Sequence, residues 1–144
     1  MVRSFGSDDV PCATHHPRTR RHRPVCFLKF NCEISGFQVL YDRPEERFAM
    51  IDLAGARLML EQADGPGRRF RTAPLEQPFG RGVNFQIEIA DVRATYARVV
   101  ENGAAVLIPL ERRWYRVGEL ERAQDQFVVC DPDGYLLRLI SILG

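Results

Sequence analysis

Two stretches of the chain share one plan. Phe48-Ala49-Met50-Ile51-Asp52-Leu53-Ala54-Gly55 and Phe127-Val128-Val129-Cys130-Asp131-Pro132-Asp133-Gly134 each run as an apolar strand, an aspartate, two turn residues and a glycine. A second apolar strand follows each glycine: Ala56 to Gln62 in the first copy, Tyr135 to Leu143 in the second. An internal repeat limits a fold more than any composition does, because one supersecondary unit has to bury the same face twice.

The elements ahead of each hairpin extend the repeat. Phe27, Phe30 and Ile34, with Cys26, fall at helical spacing over Val25 to Ile34, and Gly36 follows as a helix terminator. Phe37 to Tyr41 is a short run of strand formers, and Asp42 to Glu46 is a turn. In the second copy Val83, Phe85, Ile87 and Ile89 alternate with polar or small residues, which marks a half-buried strand. Asp91 is placed to cap a helix over Val92 to Asn102, ended by Gly103. Ala105 to Leu110 is the next strand. Glu111 to Ala123 reads as a polar excursion carrying Trp114 and Tyr115. The second unit therefore runs βαβββ. The first shows the same order from its helix onward, with no strand legible before Val25.

This order predicts an α+β fold in one domain over 25–144: module one over 25–62, a linker over 63–81 and module two over 82–144. The linker holds Gly65, Pro66, Gly67, Pro74, Pro78 and Gly80 and should have little regular structure. Residues 1–24 are basic and proline-broken, with His15, His16, His22 and five arginines, and are expected to be poorly ordered. They contain no apolar stretch of the kind a signal peptide requires.

Composition excludes several classes of function. The chain has 144 residues, enough for a core without metal or disulfide support. A net charge of +1 gives no overall attraction to nucleic acid or membrane. No apolar run approaches the roughly 20 residues that span a bilayer. Cys12, Cys26, Cys32 and Cys130 have irregular spacing and no C-x-x-C pair, which argues against a zinc site or disulfide framework and for a cytoplasmic protein. Cysteine catalysis lacks a nearby histidine partner in sequence.

The segments Phe30 to Gly36, Leu58 to Gln62, Gly82 to Asp91, Trp114-Tyr115-Arg116 and Gln126 to Leu139 resemble the glyoxalase, bleomycin-resistance and extradiol-dioxygenase (vicinal oxygen chelate) superfamily. Its bleomycin-resistance-type branch is the nearest in pattern. The resemblance implies paired βαβββ modules whose mixed sheets curl around a groove, completed in a homodimer. Metalloenzymes of the superfamily hold a metal with His, Gln or Glu side chains on the groove strands. Here the histidine position of the second module's first strand falls on Asn84, and the glutamate four residues after the turn glycine falls on Arg138. Neither suits a divalent metal, and a guanidinium does not deprotonate in a protein.

The resemblance therefore implies a metal-free, cofactor-free binding protein with no catalytic residue. Such a protein would sequester a bleomycin-type antibiotic or related metabolite. Phe48, Phe85, Trp114, Tyr115 and Tyr135 are candidates for stacking on a flat ligand. Glu61 could meet a cationic group, with Glu88 a weaker candidate. Asn84 and Arg138 would offer polar contacts, Arg138 to an anionic or carbonyl group. Each has a plainer alternative. The phenylalanines could be core, Trp114 and Tyr115 could be dimer contacts, and Arg138 could pair with Glu61. Two rival functions remain at this stage: a metal-dependent lyase or dioxygenase of the same superfamily, and a module binding protein or nucleic acid through its sheet edges or basic arm.

Overall fold

The computed structural model describes residues 2–5, 28–68 and 70–143. Among these residues there are eight strands: β1 (Val2–Phe5), β2 (Gln38–Arg43), β3 (Phe48–Leu53), β4 (Ala56–Gln62), β5 (Asn84–Glu88), β6 (Ala105–Val117), β7 (Leu120–Cys130) and β8 (Leu136–Ile142). One α-helix, α1 (Val92–Glu101), follows β5. A π-helical turn at Lys29–Ile34 stands in the corresponding place before β2. Of the basic segment, Val2–Phe5 forms a strand, where none was legible in the sequence before Val25. Four residues are too few for alternation to stand out. The rest of that segment, with its histidines, and the predicted helix start at Val25 lie outside the described residues.

The repeat is explicit in the pairing. The strand order is β1-β4-β3-β2 in one sheet and β5-β8-β7-β6 in the other. The outer pairs β1–β4 and β5–β8 are parallel, and every other pair is antiparallel. Each module is thus one βαβββ unit. The two sheets are open, four-stranded and uncurled, where the resemblance implied sheets curled around a groove.

Strand alternation sends one face of each sheet to a shared core. Ala49, Ile51, Leu58 and Leu60 come from the first sheet, and Ile87, Phe127, Val129, Leu137 and Leu139 from the second. Phe30 and Ile34 of the π-turn and Val92 and Val99 of α1 join them. The helical segments are tied together where Arg98 Nε donates to the Ile34 carbonyl at 2.9 Å. Asp91 caps α1 as predicted, its carboxylate accepting the Ala94 N–H at 2.8 Å.

The two hairpins differ in length, and this shifts the repeat by one residue. Leu53 pairs with Ala56 around the two-residue turn Ala54-Gly55, whose φ angles are 51° and 88°. Two positive φ values suit the right-handed strand twist of a tight hairpin. In the second copy Cys130 pairs with Leu136 around the five residues 131–135. There Asp131 accepts the N–H groups of Asp133 and Tyr135 at 3.0 and 2.8 Å. Counting forward from either glycine still matches Met59 with Arg138. Counting backward fails: Ile51 pairs with Leu58 while Val129 pairs with Leu137, so Phe48 and Phe127 lie on opposite sheet faces. Phe127 is fully buried in the core against Tyr96, ring centroids 5.2 Å apart.

The supposed polar excursion is a hairpin. β6 and β7 pair continuously from Glu111–Gln126 to Val117–Leu120. Its outer part reads as loop because both faces meet solvent, so the apolar half of the alternation is missing. Residues 63–83 hold neither helix nor strand among those described. The end of this stretch is nonetheless seated, with the Phe79 N–H donating to the Asp133 carbonyl at 2.9 Å.

Candidate functional site

The face of the second sheet turned away from the core forms an open concavity of about 260 Å³. Leu137 and Leu139 are fully buried on the core side of β8, so period-two alternation puts Arg138 on the open side. Opposite residues of an antiparallel pair share a face, so Glu111 lies with Gln126 and Arg113 with Gln124 there. Leu107, Ile108, Val128 and Leu136 supply an apolar wall. The β6–β7 register slips between Val106 and Ile108 and again between Ile108 and Glu111. Such bulges re-aim side chains, and here they bring Leu107, Ile108 and Glu111 to the same hollow. β6 is an edge strand, so Pro109 leaves no ladder donor missing inside the sheet.

Gln126 organises the polar floor. It is almost wholly buried, and its Oε1 accepts from Arg138 Nε at 3.1 Å and Arg138 Nη2 at 2.6 Å. The same oxygen accepts from the Tyr115 hydroxyl at 3.1 Å and from Gln124 Nε2 at 2.7 Å. Arg138 Nη2 also donates to the Tyr115 oxygen, and the guanidinium lies 5.3 Å from the Tyr115 ring centroid. On the far side Gln126 Nε2 donates to Glu111 Oε1 at 2.9 Å, and Arg113 Nε approaches the same oxygen at 3.3 Å. The Gln126 hydrogen bond, helped by the charges of Arg113 and Arg138, outweighs desolvation and holds the Glu111 carboxyl below the usual carboxylate range. At neutral pH the floor therefore carries one carboxylate and two guanidinium groups.

Asp125 sits one residue away and faces the other side. It is buried, and it takes Arg112 Nε at 2.8 Å and Arg93 Nη2 at 2.7 Å. The Arg112 hydrogen bonds, then those from Arg93 and the two charges, lower its carboxyl to about 2. This pair of arginines fastens the hairpin to α1.

Asn84, Tyr115 and Arg138 line the concavity. Phe85 lies on the core side of β5 and packs beside Tyr135, ring centroids 6.0 Å apart. Trp114 stands opposite Ala123, on the other face of the hairpin from Tyr115, and is 65% exposed. Phe48 and Glu61 face each other across β3 and β4 on the outer side of the first sheet. Arg43 covers the Phe48 ring at 4.0 Å. The eight candidates thus fall on two sheets and, for Tyr135, the second hairpin turn, and only three meet in this hollow. Arg138 bonds to Gln126 and Tyr115, and no carboxylate among the described residues, Glu61 included, lies in ion-pair range of it. Sequence reasoning missed Glu111, Arg113 and Gln126. Their signal was the alternation of Glu111, Arg113 and Tyr115 within a stretch taken for loop.

The donor set does not fit a divalent metal. The single carboxylate, Glu111, is engaged by Gln126 and Arg113, and Arg138 would repel a cation. Among the described residues no three His, Cys, Asp or Glu side chains converge on a metal-sized site. Among them too, no helix is long and apolar enough to cross a membrane.

No family model and no curated protein matches the chain. Solved structures do. A glyoxalase/bleomycin resistance protein/dioxygenase superfamily member from Vibrio splendidus 12B01 shares 34% identity, covering 85% of this chain and 92% of its own, with a TM-score of 0.42. TioX from Micromonospora sp. ML1 covers 99% and 98% at 19% identity and a TM-score of 0.63. A glyoxalase/bleomycin resistance protein/dioxygenase from Alicyclobacillus acidocaldarius covers 100% and 91% at 16% identity and a TM-score of 0.56. The last two overlay nearly the whole chain on this βαβββ architecture. The chain belongs to the glyoxalase/bleomycin resistance protein/dioxygenase superfamily.

Proposed function

We propose that this chain is a metal-free small-molecule binding protein that sequesters an antibiotic or related metabolite without chemistry. One observation carries the reading. Arg138 occupies the strand position where the superfamily's metalloenzymes would place a carboxylate ligand, and it is held there by Gln126 and Tyr115. A fixed cation in a hollow with an apolar wall is suited to orienting a ligand. The hollow is open, and a second copy closing over it would complete a homodimeric groove. The reading places the protein in the cytoplasm, where free thiols such as Cys32 and Cys130 persist.

Calorimetric titration with a bleomycin-type glycopeptide, combined with elemental analysis, tests this function. The expected result is saturable binding of the glycopeptide or of a smaller related metabolite by protein that holds less than stoichiometric metal, with the ligand recovered unaltered. Binding that requires one divalent ion per chain, or recovery of a converted product, would overturn it. Light scattering after size exclusion tests the dimer, which a monomer mass at about micromolar concentration would refute.

A further inference from the structure

The polar floor is unbalanced. Glu111 is bonded by Arg113 and acts on Arg138 only through its field, so the oxygens that Arg138 touches directly are neutral: the Gln126 amide and the Tyr115 phenol. Its Nε and Nη2 atoms are used, while Nη1 has no hydrogen-bond partner among the described residues. A guanidinium always keeps its charge, and charged donors gain most from an ionised acceptor. Water satisfies Arg138 while the hollow is open. A ligand that displaces this water onto the apolar wall has to replace it, and a neutral or cationic group does so poorly.

We infer that the hollow selects compact ligands with a single carboxylate or similar oxyanion on an apolar body. The anion sits on Arg138 and the body lies against Ile108, Val128 and Leu136. This rests on the small-molecule reading above and sharpens it. A polycation would bring like charge against Arg138, so the favoured metabolite is an amphipathic acid. The hollow, at about 260 Å³, is at the small end of ligand sites. A two-ring acid suits it better than a large glycopeptide.

Three matched probes test the inference on the full chain by calorimetry: 1-naphthoate, 1-naphthamide and 1-naphthylmethylamine. Naphthoate should bind about tenfold or more tightly than the amide, and the amine should bind weakest. The preference should shrink as salt rises. Arg138→Gln, checked for an unchanged circular dichroism spectrum, should bring acid and amide together. Equal affinities for the three probes on the natural protein would overturn the anionic class and leave a small-molecule hollow standing. An undiminished preference in folded Arg138→Gln would overturn the assignment to Arg138. Failure of every probe to saturate up to about 1 mM would overturn the inference, and failure of the glycopeptide as well would overturn the binding reading with it.

Discussion

Gly55 and Gly134 hold equivalent turn positions with nearly equal φ, 88° and 90°, yet their surroundings differ. A Cβ on Gly55 would meet nothing within 4 Å. A Cβ on Gly134 would sit 2.3 Å from Pro78 Cβ and 2.9 Å from Pro78 Cα. Both alanine variants bear the left-handed backbone cost of about 1–2 kcal/mol. Gly134→Ala also forces Pro78 back from 2.3 Å to beyond 3.0 Å. Phe79 follows Pro78 in the chain, and its N–H bond to the Asp133 carbonyl, 2.9 Å long, would be lost or stretched. An amide left without its partner there adds about 1–3 kcal/mol. Gly134→Ala should therefore destabilise by about 2–5 kcal/mol and Gly55→Ala by about 1–2. Urea unfolding with matched m-values measures both, and melting should separate them by about 4–8 °C in a domain of this size. Losses equal within about 0.5 kcal/mol would refute the claim that Pro78 and Phe79 are seated on the second hairpin.

Asp125 titrates lower in the folded chain, at about 2, than the ordinary aspartate value of about 3.9. Its contribution is complete above about pH 4 and is lost as pH falls toward 2. The urea midpoint should therefore drop through that window in the natural protein and drop less in Asp125→Asn; parallel profiles would refute the assignment. Phe127→Ala should cost about 3–5 kcal/mol in urea unfolding, because the ring is fully buried between the sheet and Tyr96. A loss under about 1 kcal/mol would mean that the shared core is misplaced. Trp114→Ala should change stability by no more than about 0.5 kcal/mol and leave naphthoate affinity within about twofold, since the ring faces away from the hollow. A tenfold loss would put Trp114 in the site.

The legible parts of the sequence were those where one face is buried. Ile87, Ile89, Leu137 and Leu139 reach the core; alternation declared β5, and the apolar run after the turn declared β8. The Asp-to-Gly turns showed the repeat because turn chemistry is local. The outer β6–β7 hairpin stayed hidden because Arg112, Arg113, Arg116 and Glu121 are polar on both faces. Val2–Phe5 was hidden by brevity. The candidate site was half legible for the same reason. Arg138 was conspicuous among leucines, and its chief partner was not, since a glutamine at a presumed strand boundary signals nothing. The internal overlay erred at Phe48 because sequence alone does not reveal that the second turn holds five residues rather than two. A one-residue slip inverts a strand's faces.

That sensitivity to register explains the pairing of Asp125 with Gln126. The two are neighbours on β7 and point to opposite faces. Asp125 binds two arginines on the core side, and Gln126 arranges Arg138, Tyr115 and Glu111 on the open side. A slip of one residue in the β6–β7 ladder would turn Arg112 away from Asp125 and turn Glu111 and Tyr115 away from Gln126, removing both arrangements at once. Two bulges lie just beyond this point, between Val106 and Glu111, where a regular ladder would be free to slide. Past them the outer hairpin buries little, so it has no hydrophobic pattern to choose its register. The ion pairs of Asp125 supply that choice. They act as a positioning device for the hollow as well as a fastening for the helix, since the side chains that meet a ligand are set by the register that Asp125 selects.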